Sequence, residues 1–250
     1  IARIFDVLGL ISHFIIRGKM LIQRSFLKEL DWDDKVSEKE HKDWMDWLNE
    51  IENISKLKIP RRFNPVYNLS DCNSIELHTF ADAGGEAFAA VCYIVTIVNN
   101  ERFSNIVMAK AKITPLRHKS RTQISEMPRL ELCACFIGAL LADTVVNHFS
   151  HISFKKYYWT DSEVVLRWIV KPNHRLLKYA ASPIDEILKI SERNEWRYVP
   201  SKLNVADLAT KFRKFDFSDS KSVWFTGPQF LRQGEEHWPK MPALDGPPVV

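Results

Sequence analysis

Cysteine is scarce in this sequence: four residues in 250, Cys72, Cys92, Cys133 and Cys135, with no Cys-x-x-Cys pair. Cys133 and Cys135 would leave different sides of a helix. This usage excludes a zinc ribbon and a disulfide framework and points to a reducing compartment. A long hydrophobic run is also missing. The apolar stretch 7–16 is interrupted by Ser12 and His13, too short for a membrane span and unlike a signal peptide. There is no internal repeat and no low-complexity tract. Neither Asp-Thr-Gly nor Asp-Ser-Gly occurs, and Asp82-Ala83-Gly84 lacks the hydroxyl that orients an aspartic dyad. No Cys–His or Ser–His pairing stands out. The net charge of +4 is too small to name a partner. The first residue is Ile rather than Met, as expected of a fragment of a longer reading frame.

What is present suits a globular chain: 46% hydrophobic residues supply a real core, and the length allows one domain with extensions. Residues 1–30 carry a loosely helical apolar pattern, broken at Gly9 and Gly18. Asp31-Trp32-Asp33-Asp34 invites comparison with a polymerase catalytic turn. It lacks flanking apolar strands, and Ser37 with Glu40 forms a capping box that opens a helix instead. That helix puts Trp44, Trp47, Leu48 and Ile51 on one face. The stretch 60–65 reads as a linker. Strands are expected at 75–82, 86–98 and 105–113, an antiparallel meander with a turn at Asn99-Asn100. Between 102 and 129 seven Lys or Arg face a single acid, Glu126, a basic segment suited to phosphates.

A helix follows Pro128. Leu130, Cys133, Ile137, Leu140, Leu141, Thr144 and Val145 form its apolar stripe, and Ala134, Cys135, Gly138 and Ala142 are small enough for packing on a sheet. Residues 156–161 read as a buried strand, and Ser162 caps the next helix. Ser182-Pro183 is expected to start another helix. A short strand at 195–199 and a turn at 204–209 into a final helix complete the pattern. Beyond 214 a segment rich in Gly, Pro and Trp reads as a surface tail or linker.

Four acids stand at related places in this pattern: Asp82, Glu131, Asp161 and Asp207. Asp161 sits at the carboxyl end of a strand, where α/β sheets bind ligands. Singly, each is an ordinary cap or surface acid. Brought together they would repel one another, and without His or Cys they favour a hard divalent cation such as Mg²⁺ or Mn²⁺.

The order Phe80-Ala81-Asp82-Ala83, Pro128-Arg129-Leu130-Glu131-Leu132, Trp159-Thr160-Asp161-Ser162 and 199–208 resembles the ribonuclease H domain of BEL/Pao retrotransposon polyproteins. Residues 4–10 and 30–34 resemble the stretch following the reverse transcriptase palm, and 224–239 the segment leading toward integrase. The resemblance implies an α/β fold with a mixed five-stranded sheet, helices on both faces and a helical amino-terminal extension. It divides the chain into 1–64, a polymerase-connection remnant, 65–214, the ribonuclease H-like domain, and 215–250, a tail toward integrase. It implies two Mg²⁺ or Mn²⁺ ions, with Asp82 bridging both, Glu131 and Asp161 completing one site and Asp207 the other. The substrate implied is the RNA strand of an RNA–DNA hybrid, cut during reverse transcription. Lys110, Lys112, Arg117, Lys119, Arg121, Arg129 and Lys202 are the candidate nucleic-acid contacts. The neighbouring polymerase and integrase domains are the implied protein partners, with no membrane, in a cytoplasmic virus-like particle or the nucleus. Tyr198 stands where many members carry His, the stretch 200–205 is short, and no basic handle helix lies between Asp161 and Asp207.

Two other readings compete. A non-catalytic fragment could bind nucleic acid through the basic segment, with Tyr157 or Tyr198 as stacking surfaces. Clustered acids argue against it, because a phosphate binder gains nothing from negative charge. A peptidase, a label also attached to this family region, lacks the required motif.

Overall fold

The computed structural model describes residues 1, 4–28, 30, 31, 33–60, 62–116, 127–171, 178–214 and 222–244. Five strands form one sheet in the order β3-β2-β1-β4-β5. They are β1 (Ser74–Ala83), β2 (Ala87–Val98), β3 (Glu101–Ile113), β4 (Phe154–Thr160) and β5 (Trp196–Tyr198). The runs of Val, Ile and aromatics that build them suit a pleated surface buried on both sides. β1, β2 and β3 form an antiparallel meander, whose two-residue turn has Asn99 and Asn100 at φ 49° and 69°. Both positions need positive φ, which Asn tolerates. β1 then pairs in parallel with β4, and β4 with β5. β1 is therefore central and β4 its parallel neighbour, as expected.

One face is covered by α3 (Met127–His148), α4 (Glu163–Val170) and α5 (Lys178–Ile190). Ala134, Cys135 and Ala142 of α3 are buried, and a Cβ on Gly138 would meet Thr79 and Ala90 at 3.2 and 3.4 Å. The small residues thus bring this long apolar helix onto the sheet. Leu140 and Thr144, expected in the buried stripe, are exposed instead. They lie beyond the contact line that the small residues define. α5 begins at Lys178 and carries Pro183 internally, so Ser182-Pro183 does not start it.

The opposite face holds a second core of Phe80, Val91, Tyr93 and Trp159 against Trp224, Phe225, Phe230, Leu231 and Trp238. Residues 224–238 thereby fill a sheet face, while Leu244 joins the first core. A buried polar chain pins them: Trp159 Nε1 donates to His78 Nδ1 (3.1 Å), and His78 Nε2 faces Glu76 Oε2 (2.9 Å). Arg102 pairs with Glu76 and donates from Nε to the Leu231 carbonyl at 3.1 Å. Tyr93 donates its hydroxyl to the Trp224 carbonyl (2.7 Å).

At the amino terminus α1 (Ser12–Leu27) packs on β3 and on α2 (Glu38–Ile54), and Ser37 and Glu40 form the expected capping box. Phe14 stacks on Trp47 at 4.9 Å, and buried Arg17 pairs with Glu50. Gly9, at φ +70°, does break the chain: a Cβ there would lie 1.8 Å from the Ala109 carbonyl oxygen. Gly18 does not. α1 runs through it, and the missing side chain admits the Trp47 ring, which a Cβ would meet at 2.7 Å.

Candidate active site

The parallel pairing of β1 and β4 sets Ala81 beside Thr160, so Asp82 and Asp161 leave neighbouring strands at the same edge. Glu131 reaches that edge from the second turn of α3, which has no acid in its first turn, and meets Ser162 there. Asp207 comes from a 3₁₀ turn, Val205–Ala209, where a final α-helix was expected. Asn204 caps its start, accepting from the Ala206 amide at 3.3 Å, and the chain leaves it at Thr210. At this end of the sheet Asp82 interacts with Asp161 and Asp207, and Glu131 with Asp161.

Their electrostatics record this proximity. Asp82 is buried, and burial pushes its carboxyl up to about 7; Asp161 and Asp207 add to the rise, while Thr210 and Lys211 oppose it. Burial also raises Glu131, with Ser162 lowering it and Asp161 adding to the rise. Each acid has a partner from a different element. Thr210 donates its hydroxyl to Asp82, and Ser162 Oγ donates to Glu131 at 2.5 Å while capping α4. Asn204 Nδ2 donates to Asp161 at 3.2 Å, and Lys211 and Arg213 pair with Asp207. Among the described residues no group of three or more His, Cys, Asp or Glu side chains is arranged to hold a metal ion as the chain stands. The donor set is nonetheless all carboxylate, the hard-oxygen chemistry of Mg²⁺ or Mn²⁺, and carries a charge excess that a cation would relieve.

Sequence reasoning singled out the four acids but missed four of their partners. Ser162 was legible as a cap. Asn204 stood within the 199–208 motif without a role of its own, and Thr210, Lys211 and Arg213 carried no signal beyond standing near Asp207. Of the expected nucleic-acid contacts, Lys110 and Lys112 are exposed on the face of β3 that looks toward α3, bordering a cleft of about 260 Å³ with Phe88, Cys133 and Phe136. Arg129 is exposed at the start of α3, its guanidinium 5.8 Å from the Tyr179 ring centre, and Lys202 is exposed before Asn204. Arg117, Lys119 and Arg121 lie outside the described residues. Tyr157 is not a free stacking surface: it stacks on His78 at 4.9 Å and donates to Glu235 at 2.9 Å.

The family profile described as Pao retrotransposon-like RNaseH-like domain matches residues 1–162. The chain belongs to that family. Its sheet order and mixed pairing are those of the ribonuclease H-like fold expected for a Pao member. Similar solved structures include the N-terminal RNase H domain of Rv2228c from Mycobacterium tuberculosis, determined as a fusion with maltose binding protein. It is 12% identical, with 52% of this chain and 86% of that one covered and a TM-score of 0.33. LC11-RNase H1, in complex with an RNA/DNA hybrid, is 12% identical over 52% and 88%, with a TM-score of 0.31. RNase H1 from the halophilic archaeon Halobacterium salinarum NRC-1 is 12% identical over 53% and 89%, with a TM-score of 0.31. At such identities and scores these neighbours carry no argument about activity. No curated protein matches the chain.

Proposed function

We propose that this Pao-family chain is the ribonuclease H of a retroelement, cutting the RNA strand of RNA–DNA hybrids with divalent cations during reverse transcription. The observation that carries the reading is the meeting of Asp82, Glu131, Asp161 and Asp207, drawn from four separate elements, at one sheet edge where burial and facing carboxylates push Asp82 up to about 7. A fold gains no stability from such an arrangement, because like charges and burial both cost free energy. Function is the reason to keep it.

In this reading Asp82 contributes to both of two ion sites, Glu131 and Asp161 to one, and Asp207 to the other. Bound Mg²⁺ or Mn²⁺ supplies the Lewis acidity and charge neutralisation that an in-line phosphodiester displacement needs. Ser162 holds Glu131 in place by its hydroxyl. Lys110, Lys112, Arg129 and Lys202 take phosphates; Lys110 and Lys112 stand two residues apart on one strand face, about 6.8 Å along it. Contacts to 2′-hydroxyls distinguish the RNA strand from DNA. The four acids lie within residues 65–214, and the flanking 1–64 and 215–250, parts of which pack on the same sheet, would join the neighbouring polyprotein domains inside a virus-like particle.

The test is cleavage of a labelled RNA–DNA hybrid by the purified chain in Mg²⁺ and in Mn²⁺. EDTA should abolish it. Asp161→Asn keeps the shape and removes one ligand charge; it should cut kcat by about 10²-fold or more while leaving hybrid binding near wild type. Cleavage that survives Asp161→Asn would place the chemistry elsewhere. One observation favours the competing reading of binding without cleavage: Asp207 is engaged by Lys211 and Arg213. Intact hybrid with folded wild-type protein and either metal would decide for it.

A further inference from the structure

Asn204 is buried, 3% exposed, amid the acids, and every polar atom of its side chain is used. Its Nδ2 donates to the Ala81 carbonyl, one residue before Asp82, at 2.9 Å and to Asp161 Oδ1 at 3.2 Å. Its Oδ1 accepts from the Ala206 amide at 3.3 Å, one residue before Asp207. One planar amide thus touches the strand of Asp82, the side chain of Asp161 and the turn of Asp207. Among the described residues no other side chain bridges all three of these elements by hydrogen bonds.

We infer that Asn204 is a positioning residue that sets the spacing of the three aspartates, and this inference rests on the catalytic reading of those acids. The chemistry requires this side chain. Asp would present only acceptors to the Ala81 carbonyl and to the Asp161 carboxylate, two acceptors already. Ser would still cap the 3₁₀ turn, since the two residues are comparable caps, but falls short of β1 and Asp161. Groups that orient ligands in this way typically govern metal affinity by about 10–100-fold.

A purely structural buried Asn would have none of this effect, and the chain contains one for comparison. Asn64, 1% exposed, donates to Thr96 Oγ1 at 2.9 Å and accepts from the amides of Val66 and Tyr67, remote from the acids in the chain and on other elements. The experiment compares Asn204→Ser with Asn64→Ser in the full chain. Mn²⁺ binding is measured by calorimetry, hybrid cleavage by steady-state kinetics, and backbone opening by hydrogen exchange without metal. Asn204→Ser should weaken Mn²⁺ binding about 10–100-fold and lower kcat with little change in KM. It should also speed exchange together at 80–83, 160–162 and 205–209. Asn64→Ser should lower Tm and leave Mn²⁺ affinity unchanged. Wild-type exchange at those three segments in Asn204→Ser, or an equal loss of Mn²⁺ affinity in Asn64→Ser, overturns the inference. The exchange measurement needs no metal. A wild-type chain that neither binds Mn²⁺ nor cleaves would therefore sink the catalytic reading while exchange alone still decides the role of Asn204.

Discussion

Lys211 shows how one charge can tune a carboxylate site. Its ammonium pairs with Asp207 and also lowers the cost of ionising Asp82. A divalent ion entering the same edge competes with it for Asp207. Because Lys211 is about half exposed, 51%, water and salt screen the pair, which is worth about 0.2–1 kcal/mol. Lys211→Gln should therefore tighten Mn²⁺ binding by roughly 1.5–5-fold, by the same conversion, with the effect shrinking as salt rises. Calorimetric titration at two salt concentrations checks it, and weaker binding in the variant would mean that Lys211 supports the metal instead. Arg213 backs the same acid at 3.4 Å, so the variant does not leave Asp207 uncompensated.

Among the elements, α1 turns on its glycine. In an exposed helix Gly→Ala gains about 1 kcal/mol from backbone entropy. At Gly18 the sign should reverse, because the new Cβ meets the Trp47 ring at 2.7 Å and Ile1 at 2.9 Å. Trp47 is stacked between Phe14 and Trp44 and donates Nε1 to the Phe14 carbonyl at 3.0 Å, so it has nowhere to retreat. Overpacking of this kind costs about 1–3 kcal/mol. Gly18→Ala should lower the urea midpoint; a rise would show that α2 is free to shift away. Met45 is exposed, and Leu48, expected on the packed face with Trp44, Trp47 and Ile51, is exposed at its margin instead, so both should tolerate polar replacement.

For the molecule as a whole, stability should depend on pH through buried histidines that tie the flanking segments together. His13 of α1 lies 4.5 Å from the Trp224 ring, and burial drives its pKa down to about 3; burial lowers His78 as well. The unfolded chain takes up these protons near pH 6.5 and the folded chain does not, so stability falls as pH drops below 6.5 toward 3. Asp82 has the opposite sign, since its raised pKa favours the fold below about 7 and this contribution is lost as pH rises through that value. Urea midpoints at pH 7.5 and 5.5 for wild type and His13→Gln separate the two, because Asp82 contributes equally to both proteins. The drop on acidification should be smaller in His13→Gln; an equal drop would assign the proton uptake to other groups.

Much of the architecture was legible in the sequence because it rests on local physics. Runs of β-branched and aromatic residues made the strands, Asn99-Asn100 the turn, and Ser37 and Ser162 the caps; strand ends placed Asp82 and Asp161, while Glu131, expected in the first turn of its helix, lies one turn further in. The exceptions share one cause. Gly18 looked like a break, Pro183 like a start and the segment beyond 214 like a surface tail or linker, yet Trp47 fills the space at Gly18 and residues 224–238 fill a sheet face. In the site, Thr210 reaches Asp82 across 128 residues and Asn204 reaches Asp161 across 43. Residue type and spacing determined which groups are acids and which elements carry them. Only tertiary structure decided which hydroxyl, amide and ammonium meet each acid, because those contacts form between elements whose approach is set by burial of two separate cores.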